Sequence, residues 1–417
     1  MKILTLDEKG RGVGPEGLHV SFAYPGDEVE AILINRRKKT GRLVKLIEGS
    51  PNRQTPPCPY FGRCGGCPWQ GLKYKTQLQF KEARIKTLFG DCQPIIPSPD
   101  EYGYRNRMDY AFGPEHTLGL KDDRDNIIDL DRCLLASARS NELLARLRQF
   151  SVRHDLKEYD RGQGLLRHVV IREGLNIKNA VLNVITSNLG EFPLETLWEE
   201  LKGNVEGITW SVNLSPADRS YGDLQATLGQ DYLLESLLDL KFKVPVQSFF
   251  QTNTRQAERL LQVIKDFAGL QGGEMVFDLY AGTGSIGLSL ADRAREVIGL
   301  EENEAAVALS RANAELNGLK NFTSLAGRVE AVIASLGKKP EIVILDPPRP
   351  GLHKKVIQEL GKIGAPKIVY ASCNPTTQQV DVAGLTAFGY QIKQSQPLDM
   401  FPHTPHIENV ILLVKRS

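Results

Sequence analysis

Cys373 ends an apolar run. KIVYASCNP, residues 367–375, stops at Ser372, Cys373, Asn374 and Pro375, and the proline biases the residue before it away from the helical region. Free cysteine is among the most buried residue types, so a small filler at a strand end is one reading of it. Its neighbours favour a chemical one. EIVILDPPRPGL puts Asp346 after a second apolar run, where Pro347 and Pro348 stop the hydrogen-bond ladder and hold an acidic side chain at the mouth of a sheet. EMVFDLYAGTGSIGLSLA is a strand, a glycine-rich turn and a helix start, with Gly282, Gly284 and Gly287 in G-x-G-x-x-G spacing. Such glycines allow a tight turn and bring a nucleotide cofactor to the backbone at a helix N-terminus. EVIGLEEN adds a strand with Glu301 at its carboxyl end, placed to accept hydrogen bonds from ribose hydroxyls. A dinucleotide dehydrogenase and an S-adenosylmethionine methyltransferase share these features. In an open parallel sheet, ligands bind outside the carboxyl ends of the strands. Tyr280, Glu301, Asp346 and Cys373 all stand at such ends, so the thiol is expected to face the cofactor crevice.

A thiol in that place suits one reaction well. C5 of uracil is too poor a nucleophile to take a methyl group directly, but addition of a thiolate at C6 gives C5 carbanion character. A base must then remove the C5 proton before the thiolate can leave. The scheme needs a cysteine, a carboxylate and a methyl donor in one crevice. DMFPHTPHIENVILLV offers Glu408 just before the last strand, although spacing alone reads it as a surface glutamate.

The other cysteines form a second group. CPYFGRCGGC gives Cys58, Cys64 and Cys67 in C-x5-C-x2-C spacing, and DLDRCLL supplies Cys133 at a distance. A disulfide set does not suit a reducing cytosol, and four thiolates suit zinc or an iron-sulfur cluster alike. Cys92 is left over, a thiol without a role.

These residues need elements to position them, and the chain divides into three parts. Residues 1–53 alternate apolar and polar positions around turn signals, as expected of a small β-barrel with a basic hairpin tip, Arg36 to Lys39. Residues 54–240 mix strands and helices in an α+β pattern. Residues 241–417 alternate strand and helix, the signature of a mainly parallel sheet covered on both faces. Among the 417 residues the net charge is only +2, yet residues 1–90 carry sixteen Lys and Arg against eight Asp and Glu, an asymmetry that suggests a polyanionic partner. The first residues meet charge and glycine too soon for a signal peptide, and no apolar run is long enough to span a bilayer. A cytoplasmic protein without membrane contact is therefore expected, and a monomer is a separate expectation.

SFFQTN (248–253), DLYAGTGSIG, LDPPRPGLH, YASCNP and LDMFPHTPHIE together resemble the ordered motifs of the RNA 5-methyluridine methyltransferases of the TrmA/RumA class. The resemblance runs nearly end to end. It implies a Rossmann-like class I methyltransferase domain, with Cys373 as nucleophile, Glu408 as proton-abstracting base and Asp346 touching both cofactor and target uracil. It implies further that Gln251, Tyr280, Glu301, Ser285 and the Gly282–Gly284 turn bind S-adenosylmethionine. Gly327 and Arg328 stand where such enzymes often carry Asp or Asn facing the adenine, so that contact is unassigned. For the cysteines the resemblance implies a [4Fe-4S] cluster of structural role. GRGVG, VSFAYPGDEVEA and the basic hairpin resemble a TRAM domain, an OB-like barrel that binds RNA. GYRNRMDY, with Arg105 and Arg107, is expected to help clasp the RNA. The favoured substrate is the T-loop uridine-54 of tRNA, with ribosomal RNA as the alternative. A nucleotide-dependent oxidoreductase and a non-catalytic RNA-binding protein are the rivals from other classes.

Overall fold

The computed structural model describes residues 1–122, 124–160 and 162–416 of the protein. Its C-terminal third is a seven-stranded sheet in the order Phe322–Ala326, Glu296–Glu301, Met275–Leu279, Ile342–Leu345, Lys367–Ser372, Glu408–Lys415 and Tyr390–Leu398. The first five run parallel, and the last strand of the chain inserts antiparallel between Lys367–Ser372 and Tyr390–Leu398. The parallel strands are largely apolar, because both faces are covered. Val276, Ile344 and Val369 point to one face, where Leu260 and Ile264 of the helix Thr254–Ala268 pack on them. Phe277, Val343 and Ile368 point to the other, against Val356 and Leu360 of the helix Lys354–Ile363 and Leu385 of the helix Pro375–Thr386. The alternation read from the sequence after residue 241 is this doubly wound layer.

A second seven-stranded sheet, mixed in direction, occupies residues 107–229, with the helices Ala138–Arg153 and Leu194–Leu201 supplying apolar side chains to its core. The hairpin Tyr232–Leu237 and Leu240–Pro245 leads from it into the C-terminal layer, and Val170, Val181 and Ile185 share one core with that layer. At the N-terminus three two-residue strands and the longer strands Glu28–Asn35 and Thr40–Glu48 form a sheet around Ile3, Val20, Ala23 and Val29. Its first segment bonds on both sides: the Leu4 amide donates to the Val13 carbonyl at 2.8 Å, and the Ile3 amide to the Asp27 carbonyl at 2.8 Å.

One helix departs from the division read from the sequence. Tyr74–Phe89 follows the cysteine-rich segment, yet it lies along the edge of the C-terminal layer, with Ile85 packed on Ile407 and Lys81 paired with Asp399 at 2.6 Å. Both charged groups are buried, and their partners lie more than three hundred residues away in sequence. No helix among the described residues is long and apolar enough to cross a membrane.

Candidate active site

Strand register brings the expected residues to one rim. Leu279 pairs with Leu300 and with Leu345, so Tyr280, Glu301 and Asp346 follow side by side at the carboxyl ends. Leu345 pairs with Tyr370, three residues short of Cys373. The antiparallel strand completes the rim, because Ser372 pairs with Asn409 and the next step sets Cys373 against Glu408. Behind this pair Gln378 donates to the carbonyls of Tyr370 at 2.9 Å and Asn409 at 3.1 Å, and receives a bond from the Asn409 amide group at 2.9 Å.

The glycine turn is built as its spacing predicts. Tyr280 leaves its strand at φ +66°, and Gly284 at φ +86° precedes the helix Ser285–Leu290, whose first residue is Ser285. Glu301 braces the turn: its carboxylate accepts from the amides of Gly282 and Asn303, each at 2.9 Å. Each carboxylate oxygen keeps an acceptor position for a further donor. Gly287 is required for packing, since a Cβ there would meet Asp278 Oδ2 at 2.7 Å and Phe322 at 2.9 Å. Asp278 itself was not singled out by spacing. It is fully buried, accepts from the Gly287 amide at 2.8 Å through Oδ2, and leaves Oδ1 without a partner. Burial holds its carboxyl up at about 7, with the charges of Asp346 and Glu301 adding to the rise.

The electrostatics of the rim are unusual for carboxylates and for a thiol. Glu408 is 3% exposed, not a surface residue; the reading from spacing alone failed because the neighbouring strands that cover it are set by the sheet order. Burial, then the charge of Asp346, keeps its carboxyl well above the usual range. Burial does the same to Asp346. Cys373 is pushed up to about 11 by burial and by Glu408 and Asp346, against a smaller lowering by Arg349. Arg349 is a further member that spacing did not single out, although it stands within the quoted DPPR. Its carbonyl accepts from Asn374, next to the thiol, at 3.1 Å, and its guanidinium meets His406 Nδ1 at 3.3 Å.

Other expected residues are placed as follows. The Gln251 carbonyl accepts from the Asn106 side chain at 2.9 Å, which ties SFFQTN to the central sheet, and Phe249, two residues before it, is 71% exposed. Arg107 forms an internal pair with Asp109 at 2.8 Å. Gly327 donates its amide to the Glu301 carbonyl at 2.8 Å, and Arg328 pairs with Glu330.

Cys58, Cys64, Cys67 and Cys133 line one pocket together with Tyr60 and Arg105, and none is in a disulfide. Burial raises the Cys67 thiol, and the other three cysteines add to the rise. Among the described residues no group of three or more His, Cys, Asp or Glu side chains converges closely enough to hold a single metal ion. Cys92 lies elsewhere, packed with Ile85, Ile95 and Ile407.

A family model described as tRNA (uracil-5-)-methyltransferase matches residues 73–332 and 337–416. An RNA methyltransferase of Clostridium acetobutylicum is 38% identical over 423 residues, covering 96% of this chain and 93% of that one. The tRNA (uracil(54)-C(5))-methyltransferase of Pyrococcus abyssi is 36% identical over 418 residues, 99% of each chain. The crystal structure of a Pyrococcus abyssi tRNA (uracil-54, C5)-methyltransferase in complex with S-adenosyl-L-homocysteine superposes with a TM-score of 0.87 at 34% identity, covering 99% of this chain and 100% of the other. The chain thus matches relatives from end to end in sequence and in fold, and it belongs to the tRNA (uracil-5-)-methyltransferase family.

Proposed function

We propose that the protein methylates C5 of uridine-54 in tRNA, with S-adenosylmethionine as methyl donor. The observation that carries this reading is the meeting of Cys373, Asp346 and Glu408 at one rim, each acting electrostatically on another. The preference for tRNA rests on the relatives named for uracil-54, which this chain covers from end to end. The cofactor reading is supported by the open space beside Gly282, where a Cβ would meet nothing within 4 Å, and by the acceptor positions that Glu301 keeps free.

When bound, the cofactor supplies a methyl group on a sulfonium sulfur. The chain's residues do the rest. Cys373, as thiolate, adds to C6 of the uracil, and the electron pair of the C5=C6 bond moves towards C5 and O4. C5 then takes the methyl group as the bond from the methyl carbon to the sulfonium sulfur breaks, its electron pair staying on sulfur to leave a neutral thioether. Glu408, held above the ordinary carboxylate range, suits a group that must accept a proton near neutral pH. It takes the C5 proton, the double bond re-forms, and the Cys373–C6 bond breaks to return the thiolate. Because C5 and C6 are shielded in a stack, the uridine must leave its stack to reach the rim.

The reading extends to the rest of the chain. Residues 1–53 form an OB-like TRAM barrel whose basic hairpin contacts phosphates, residues 54–240 hold the four cluster cysteines and help recognise RNA, and residues 241–417 are the methyltransferase domain. The four cysteines line one pocket, and the family resemblance favours a [4Fe-4S] cluster there over zinc. A structural role for it is what the family resemblance implies.

The test is incubation with labelled methyl donor and separate tRNA and ribosomal RNA transcripts, followed by mapping of the modified base. Label at uridine-54 of tRNA is expected. Label confined to ribosomal RNA overturns the substrate, and no label on any uracil overturns the reaction. Cys373→Ala should abolish transfer while S-adenosylhomocysteine and tRNA still bind; a turnover-competent Cys373→Ala protein would refute the nucleophile.

A further inference from the structure

We infer that Gln77, Lys81 and Tyr104 are positioning residues for Glu408, acting through the loop 399–407. The inference rests on the proposed role of Glu408 as the group that takes the C5 proton. The loop joins the strand Tyr390–Leu398 to the strand Glu408–Lys415 and contains neither helix nor strand. Both of its ends flank the base, since Leu398 is the cross-strand partner of Glu408 and Ile407 precedes it.

The loop is held from outside its own sheet. Lys81 Nζ donates to Asp399 at 2.6 Å and to the Phe401 carbonyl at 3.1 Å. Tyr104 donates its hydroxyl to the Pro402 carbonyl at 3.2 Å. Gln77 Oε1 accepts the His403 amide at 2.8 Å, and the Trp69 amide donates to the His403 carbonyl at 2.9 Å. Asn253 donates to the Met400 carbonyl at 3.1 Å. Ile407 packs between Ile85 and Ile95. All of these partners lie in residues 69–104 or at 253, in segments that precede the first strand of the catalytic layer. Glu408 itself is held in register by Leu398, but the irregular loop that leads into it has no ladder of its own, so these long-range bonds set how the chain enters the base's strand.

Position matters most at one step. Proton transfer needs the carboxylate within about 3 Å of the proton's carbon or one water away, and a misplacement of about 1 Å can cost about a hundredfold. Adduct formation and methyl transfer come before that step and do not use Glu408 as base. Loosening the loop should therefore stall the cycle after methylation: the C5 proton stays, the C5=C6 bond does not re-form, and Cys373 remains bonded to C6.

The experiment mixes full-length protein, S-adenosylmethionine and a tRNA transcript, and reads turnover, single-turnover methyl transfer and the denaturant-resistant protein–RNA complex on a gel. Gln77→Met, which keeps the bulk and removes the bonds, should lose at least about tenfold in turnover, hold methyl transfer within about threefold, and accumulate the complex. Tyr104→Phe deletes one hydroxyl from a ring that keeps its packing, and should move the same way by less. It decides the matter if Gln77→Met does not fold. Glu408→Gln separates the two ideas. If it accumulates the complex while neither loop-anchoring variant does, the positioning inference is wrong and the base stands. If it turns over normally or forms no complex, the base assignment fails. Parallel loss of complex and turnover in Gln77→Met, with an unaltered Tyr104→Phe, also overturns the inference.

Discussion

A thiol at the rim of a sheet with two carboxylates for neighbours is a poor thiolate at rest. Burial and the charges of Glu408 and Asp346 raise Cys373 to about 11, and Arg349 recovers only part of that. The reacting form is the deprotonated one, so in ligand-free protein its fraction should grow about tenfold per pH unit until the pKa is reached. Alkylation of Cys373 by iodoacetamide, followed by peptide mass spectrometry, should rise in this way from pH 7 to 10; a rate already level by pH 8 would contradict the environment described here. The same burial that hinders the thiol suits Glu408, since a carboxyl held above its usual range is a stronger base when its turn comes.

At the scale of the element, the glycine turn separates two uses of glycine. Gly282 stands at φ +53° with open space where a Cβ would go, so Gly282→Ala costs only the left-handed strain, about 1 kcal/mol. Gly287 sits in a helix, where alanine would gain up to about 1 kcal/mol in propensity, but its Cβ would press on buried Asp278 and Phe322. Overpacking of that kind costs about 1–3 kcal/mol and wins. Gly287→Ala should therefore unfold at lower denaturant than Gly282→Ala and bind S-adenosylhomocysteine more weakly, as calorimetric titration would show; equal stability of the two variants would refute the packing argument. The loop 399–407 belongs to the same scale, because its order comes from outside partners and not from its own backbone ladder.

Across the whole molecule, the cysteine-lined pocket makes a prediction that colour can decide. Protein purified without oxygen should be brown, with absorbance near about 400 nm from iron-sulfur thiolate ligation, and Cys133→Ser should lose most of it. A colourless preparation rich in zinc would replace the cluster with zinc. Much of the architecture was legible in local pattern. Continuous apolar runs ending in Tyr280, Glu301, Asp346 and Cys373 marked parallel strands covered on both faces, and G-x-G-x-x-G marked the turn, because periodicity and backbone geometry are local properties. By itself, then, the sequence determined the parallel layer, the turn and the order of residues along each strand. Only the tertiary structure decided that Glu408 is buried opposite the thiol, that Arg107 turns inward to Asp109, and that Tyr74–Phe89 braces the catalytic layer. Those outcomes depend on which strand inserts beside which and on bonds between residues hundreds of positions apart, and no local period records either.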